Sequence, residues 1–255
     1  MDFLRHRLAA KTRHGMHSPF VYALVDECIY AAMPGVPGKV LAHFESLKKD
    51  KTLLEGQDLG RDQKSSRTVS DYAKNSAIPD VQAALLHRLV AYLNPAHVLE
   101  LGTNLGKSLA CMASASSETS FIGVEGNQSL AQHASESLRK LELSHARVVH
   151  ASFDEFLSSD DSKYDLVFLD GDHRYEPTMR YFDRLKSILT PQGAIIFHDI
   201  YWSEGMKRAW DEIKKDRDVT VTLDLFFLGI AWMGKPQEKE DFKIKFPLQL
   251  VRLLF

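Results

Sequence analysis

Cysteine is scarce in this chain. Only Cys28 and Cys111 occur among 255 residues, with no CxxC spacing. That argues against a disulfide scaffold and a cysteine-rich zinc site, and both thiols read as reduced core residues. Long apolar runs are also missing: none approaches the roughly 20 residues that a membrane-spanning helix needs. Neither charge sign dominates, and the formal net charge is −2. Nucleic acid, a membrane surface and a polyanion are therefore not expected as partners. The first residues carry Arg5, His6, Arg7, Lys11 and Arg13 but no apolar run of the signal-peptide type, so a cytoplasmic location is expected. There is no internal repeat and no low-complexity tract. What remains is a composition of 44% hydrophobic and 26% charged residues. It suits one large soluble α/β domain with an appendage.

Residues 1–79 differ in style from the rest and read as a helical extension. Phe3 to Leu8 is basic and amphipathic. Ser18 and Pro19 have the look of an N-cap and first helical residue, and Val21, Leu24, Val25, Cys28 and Ile29 recur at helical spacing. A second helix is expected over 39–51. The polar, basic stretch 55–70 reads as a mobile loop, and 71–75 as a short helix. Asp80 is the expected N-cap of the next helix, whose stripe is Val81, Leu85, Leu86, Leu89, Val90 and Leu93. From there strand and helix alternate, as in a parallel α/β sheet. Strands are predicted near 97–101, 120–125, 146–151, 165–170 and 194–198. Helices are predicted near 106–116, 128–141, 177–189 and 204–216. Two β-rich runs, 219–225 and 227–233, follow each other almost directly and read as an antiparallel hairpin. The segment 236–255 reads as a docked arm or a subunit contact of a homodimer.

The stretch Val98-Leu99-Glu100-Leu101-Gly102-Thr103-Asn104-Leu105-Gly106-Lys107-Ser108 is a buried strand, a glycine turn and a helix start. It lacks the second glycine of a dinucleotide fingerprint, because Asn stands at 104. It also lacks the glycine spacing of a phosphate loop. Glu100 is a carboxylate where burial is expected, and a cationic ligand would partner it. Glu125 ends the second strand a little over 20 residues later, where an acid can accept both hydroxyls of a ribose. Ser152 and Phe153 follow the third strand, where an adenine would lie. Asp170 ends the fourth strand and is followed by Asp172 and His173. His198 and Asp199 end the fifth. Asp170, His198 and Asp199 would converge, and carboxylates with an imidazole suit a divalent ion such as Mg²⁺ or Mn²⁺.

These motifs, in this order over about residues 80–235, resemble a class I S-adenosylmethionine-dependent methyltransferase. The likeness is strongest to small-molecule O-methyltransferases of the catechol and macrolide-sugar type, grouped as methyltransferase family 24. The resemblance implies a Rossmann-like, seven-stranded, mostly parallel α/β sheet with a terminal antiparallel hairpin. It implies that the cofactor's methionine part is received by the turn of Glu100, Gly102, Thr103, Asn104 and Gly106, with Ser108 on its carboxylate. Glu125 then matches the ribose acid, and Ser152 with Phe153 the adenine contact. Asp170, His198 and Asp199 match the metal positions, and His173 falls where relatives keep the catalytic base. One departure stands out: the position of His198 is usually acidic, and an imidazole weakens selectivity for Mg²⁺. Phe20, Tyr22, Tyr175, Tyr201 and Trp202 are candidate walls of a small-molecule pocket, and the run from Arg13 to Phe20 a candidate lid.

The expected activity is thus methyl transfer to a small-molecule hydroxyl with divalent-metal assistance. Two other classes compete. A catalytically silent cofactor-binding or scaffold protein would keep the fold without turnover. A nicotinamide-dependent oxidoreductase is disfavoured by Asn104.

Overall fold

The computed structural model describes residues 2–12, 17–31, 35–58, 63–235 and 237–247. Arg13 to Met16, residues 59–62 of the stretch read as a loop, and Leu248 to Phe255 lie outside the described residues. The chain opens with α1 (Asp2–Ala9) and α2 (Pro19–Leu24), which runs into one π-helical turn over Val25–Ile29. Ser18 caps α2 by accepting from Val21 N, and Pro19 occupies its first position. After α3 (Gly38–Leu47) comes an antiparallel hairpin of β1 (Leu53–Asp58) and β2 (Gln63–Thr68). The sequence predicts a mobile loop over 55–70, and the structure has a hairpin instead. The strands carry few apolar residues, so no alternation marked them, and their pairing is a matter of backbone register from Leu53↔Thr68 onward. Then follow α4 (Val69–Asn75), held by a Thr68/Asp71 capping box, and α5 (Asp80–Leu93). Asp80 is the first helical residue of α5 rather than its cap.

The alternating part contains β3 (His97–Leu101), α6 (Lys107–Ala113), β4 (Ser120–Glu125), α7 (Gln128–Lys140) and β5 (Ala146–His150). It continues with α8 (Phe153–Ser159), β6 (Tyr164–Leu169), α9 (Tyr175–Ile188), β7 (Leu189–His198) and α10 (Glu204–Lys215). The chain then forms β8 (Val219–Asp224), β9 (Leu228–Met233) and β10 (Glu240–Lys243). One sheet of eight strands has the order β10-β8-β9-β7-β6-β3-β4-β5, and β9 alone runs antiparallel to its neighbours. The seven expected strands are joined by β10, parallel to β8. Phe242, Ile244 and Phe246 of this last segment are buried, so it is a docked arm as far as it is described.

Strand side chains alternate between two apolar layers, as period two requires. Val98, Phe121 and Phe168 face the layer that includes α5 and α6, while Leu99, Leu101, Val124 and Leu169 face the layer that includes α9 and α10. Residues of α2 and α3, among them Val21, Leu24, Val40 and Phe44, share the first layer with the sheet. The extension is thereby part of the same core. No helix among the described residues is long and apolar enough to cross a membrane.

Candidate active site

The strand order reverses at β3. Its neighbours are β4 on one side and β6 on the other. Chains leaving β3 and β6 turn apart there and leave a crevice at their carboxyl ends, where open α/β sheets bind ligands. The residues singled out in the sequence for cofactor and metal lie at or just beyond the carboxyl ends of β3 to β7.

The first turn is shaped by a close approach of two backbones. Gly102 has φ +101°, and a Cβ there would sit 1.9 Å from the Asp170 carbonyl oxygen. Only glycine allows both the conformation and the contact. Asn104 takes the left-handed region at φ 51°, which asparagine tolerates because its side chain bonds locally. Here Asn104 Oδ1 accepts from Leu105 N at 2.7 Å, and Asn104 Nδ2 donates to the Ser76 carbonyl. Gly106 precedes α6, and a Cβ there would press on Ala134 of α7. Lys107 donates to Ile78 O and pairs with Asp80 Oδ1, both at 2.7 Å, and so ties the turn to the start of α5.

Glu100 is fully buried, with neither carboxylate oxygen accepting a hydrogen bond of good geometry. Burial pushes its carboxyl up to about 8, although the Ser108 and Thr103 hydroxyls nearby favour the charged form. Thr103 Oγ1 is likewise buried without a partner. A dry carboxylate without partners is costly, and the cost falls beneath the turn that the sequence marked as a ligand cradle.

Glu125 is oriented by two backbone amides. Asn104 N donates to Oε2 at 2.7 Å and Asn127 N to Oε1 at 2.9 Å. These use two of a carboxylate's roughly four acceptor positions. Ser152 caps α8 in a capping box with Glu155, so its hydroxyl already has structural work. The Phe153 ring lies against Gly171, where a Cβ would come within 2.9 Å of it, and edge-on to Tyr181.

The third cluster joins β6 to β7. Asp170 Oδ1 is 2.9 Å from His198 Nδ1 and 3.6 Å from His173 Nε2. Burial opposes the charge on Asp170, yet the adjacent His198 outweighs it and holds the carboxyl below the usual carboxylate range. His198 moves the other way, because the attraction of Asp170 exceeds the burial penalty on the imidazolium. The opposite ring nitrogen, His198 Nε2, donates to Gln82 Oε1 at 2.7 Å. Gln82 was not anticipated. Its signal is a buried amide among the apolar residues of α5. Asp199 has φ 55°, and its Oδ2 is 3.6 Å from His198 Nδ1. Among the described residues the donors that converge are Asp170, His173 and His198, and Asp199 stands outside that set.

The candidate wall residues fare unevenly. Phe20 packs edge-on against Trp232, which pairs with Ala194, four residues before His198 on β7. Tyr201 donates to Asp224 and stacks on Phe226 at 4.8 Å. Tyr175 is held between Glu212 and Arg208. Trp202 is exposed and Tyr22 partly so.

Residues 99–200 match the family model described as a methyltransferase domain. An uncharacterized protein of Sinorhizobium fredii is 26% identical over 169 residues, 58% of this chain. The chain spans only 18% of the length of that curated relative. A Podospora anserina methyltransferase, solved with S-adenosylhomocysteine, superposes with a TM-score of 0.63 at 12% identity, covering 86% of this chain and 97% of that one. An O-methyltransferase from Bacillus cereus, also a complex with S-adenosylhomocysteine, gives 0.58 at 16% identity over 83% and 95%. The O-methyltransferase TomG from Streptomyces achromogenes, in complex with S-adenosylmethionine, gives 0.55 at 18% over 62% and 82%. The sheet order and the glycine turn beside Asp170 agree with these likenesses: residues 99–200 match the methyltransferase-domain model, and the chain has the Rossmann-like fold of those solved structures.

Proposed function

We propose that the chain transfers a methyl group from S-adenosylmethionine to a hydroxyl of a small molecule, with help from a divalent metal ion. The observation that carries this reading is Glu100, a fully buried carboxylate without a hydrogen-bond partner under the Gly102 turn. A ligand with a cationic ammonium and sulfonium meets that need. The residues that would hold it are Glu100, Gly102, Thr103, Asn104, Gly106 and Ser108 for the methionine part. Glu125 would hold the ribose, Ser152 and Phe153 the adenine side, and Asp170 the inner wall. The complexes of the Bacillus cereus and Streptomyces achromogenes proteins support the same cofactor class.

When bound, the cofactor supplies an electrophilic methyl carbon that needs in-line attack. The protein's part is then position and proton handling. Asp170 is fixed beside the Gly102 turn and braces His173 at 3.6 Å. His173 Nε2, partly exposed at the mouth of the crevice, would take the proton from the acceptor hydroxyl. Asp170 and His198, at the ends of β6 and β7, would contribute to holding a divalent ion. The buried, unpartnered His198 Nδ1 fits a site that receives a cation.

The test is transfer of a labelled methyl group to a panel of phenols, catechols and sugars, with His173→Ala beside the native protein. The variant is expected to bind cofactor as the native protein does and to lose about 10²–10⁴-fold in transfer rate. Transfer at the native rate would remove His173 from the reaction.

A further inference from the structure

We infer that the metal ligands of this site are Asp170, His173 and His198 rather than Asp170, His198 and Asp199, and that the site selects a first-row transition ion over Mg²⁺. The inference rests on the methyl-transfer reading only for the location of the site.

Three observations carry it. One donor atom each from Asp170, His173 and His198 lies within 4.8 Å of the others. The two printed spacings, 2.9 Å and 3.6 Å from Asp170 Oδ1, bracket the about 3.0–3.4 Å expected between neighbouring ligands bound at about 2.1 Å. Second, His198 Nδ1 is buried and unpartnered: it is close to Asp170 but off the line of a donated hydrogen bond. A ring nitrogen this close to a carboxylate oxygen calls for a positive charge between them, a proton or a metal ion, and a bound ion would take the proton's place. Third, Gln82 Oε1 accepts from His198 Nε2 at 2.7 Å. That fixes the proton on Nε2 and leaves Nδ1 as the donor, which is how a carbonyl behind a metal-bound histidine acts.

The donor set decides the ion. Two imidazoles and one carboxylate suit iron, cobalt, zinc or manganese in the divalent state. Mg²⁺ demands oxygen ligands in near-octahedral array and keeps its water. His173 Nε2 then has two exclusive occupations. In the ion-free protein it is available to a proton, and in the loaded protein it is committed to the ion. With an ion bound, that ion would lower the acceptor's pKa and the hydroxyl proton would leave to solvent.

The experiment titrates the full chain with Co²⁺, read by visible d–d absorption and calorimetry, with no acceptor present. Binding of S-adenosylmethionine is measured in parallel on the same samples. The expected result is one Co²⁺ per chain, not displaced by millimolar Mg²⁺. His173→Ala is expected to weaken Co²⁺ by about tenfold or more, while Asp199→Asn leaves it within about twofold. Because His173 lies on a partly exposed loop, its variant tests the ligand set without disturbing the core, and His198→Ala is the second, buried variant. Three outcomes overturn the inference: no Co²⁺ uptake by protein that still binds S-adenosylmethionine, displacement by Mg²⁺, or loss of Co²⁺ in Asp199→Asn with retention in His173→Ala. Failure to bind S-adenosylmethionine with Co²⁺ uptake intact would instead remove the cofactor reading and leave the metal site standing.

Discussion

At the scale of the residue, Glu100 has the greatest consequence. Its place in β3 follows from period two: it points to the same side as Val98, into the layer of α5 and α6. A glutamate there is a poor choice for packing and a good one for a cation. Burial raises its pKa to about 8, so between the ordinary glutamate range and pH 8 the folded, ligand-free protein holds a proton that the unfolded chain does not. By linkage, the stability of the ligand-free protein falls as pH rises through that window and levels off above about 8. A cationic ligand requires the charged form. Binding is therefore expected to release close to one proton near pH 6.5 and almost none above pH 9, with affinity rising between them. Calorimetry in two buffers of different ionisation enthalpy measures the release. A proton count independent of pH would show that Glu100 does not face the ligand.

At the scale of the element, the N-terminal helix is fastened to the rim of the sheet beside the site. His6 on α1 donates from Nε2 to Asp224 Oδ1 at 2.9 Å, and Tyr201, just after β7, donates to Oδ2 at 2.7 Å. Phe226 N completes the set at 3.0 Å. Burial opposes the charge on Asp224, but the bonds from His6 and Tyr201 hold its carboxyl low. Removing one partner of such a buried cluster strands the others, at a cost of about 3–5 kcal/mol. Asp224→Ala is expected to lose about that much in denaturant unfolding and to speed amide exchange across α1. A loss under about 1 kcal/mol with α1 still protected would contradict the anchor. This cluster was illegible in the sequence because its members lie as far as 218 positions apart. The same holds for Gln82 and His198, 116 apart. Elements were easier. β3 and β4 lie where alternation and turn residues put them, while β7 begins at Leu189, ahead of the expected 194, because Pro191, Gln192 and Gly193 look like a turn. Hairpin β1–β2 escaped because polar strands carry no alternation to read. Helix α8 was not drawn either. Ser152, its N-cap, forms a capping box with Glu155 that no apolar periodicity announces.

At the scale of the whole molecule, the topology assembles the site. Reversal of the strand order at β3 brings the turn after β3, the acid at the end of β4 and the cluster at the ends of β6 and β7 to one edge. The strand-end acids were legible because each closes an apolar run, and the parallel sheet put all those ends on one side. The aromatic walls were not, since Phe20 packs on Trp232 and Tyr201 on His6, joining the extension to the sheet. That extension shares its core with the sheet, so the crevice and the helices around it form one packed body. The central claim is that this crevice receives S-adenosylmethionine. Calorimetric titration of the full chain with S-adenosylmethionine, and separately with S-adenosylhomocysteine, tests it directly. One site per chain with a Kd of about a micromolar or tighter is expected; no heat with either compound across buffers of different ionisation enthalpy would contradict the account.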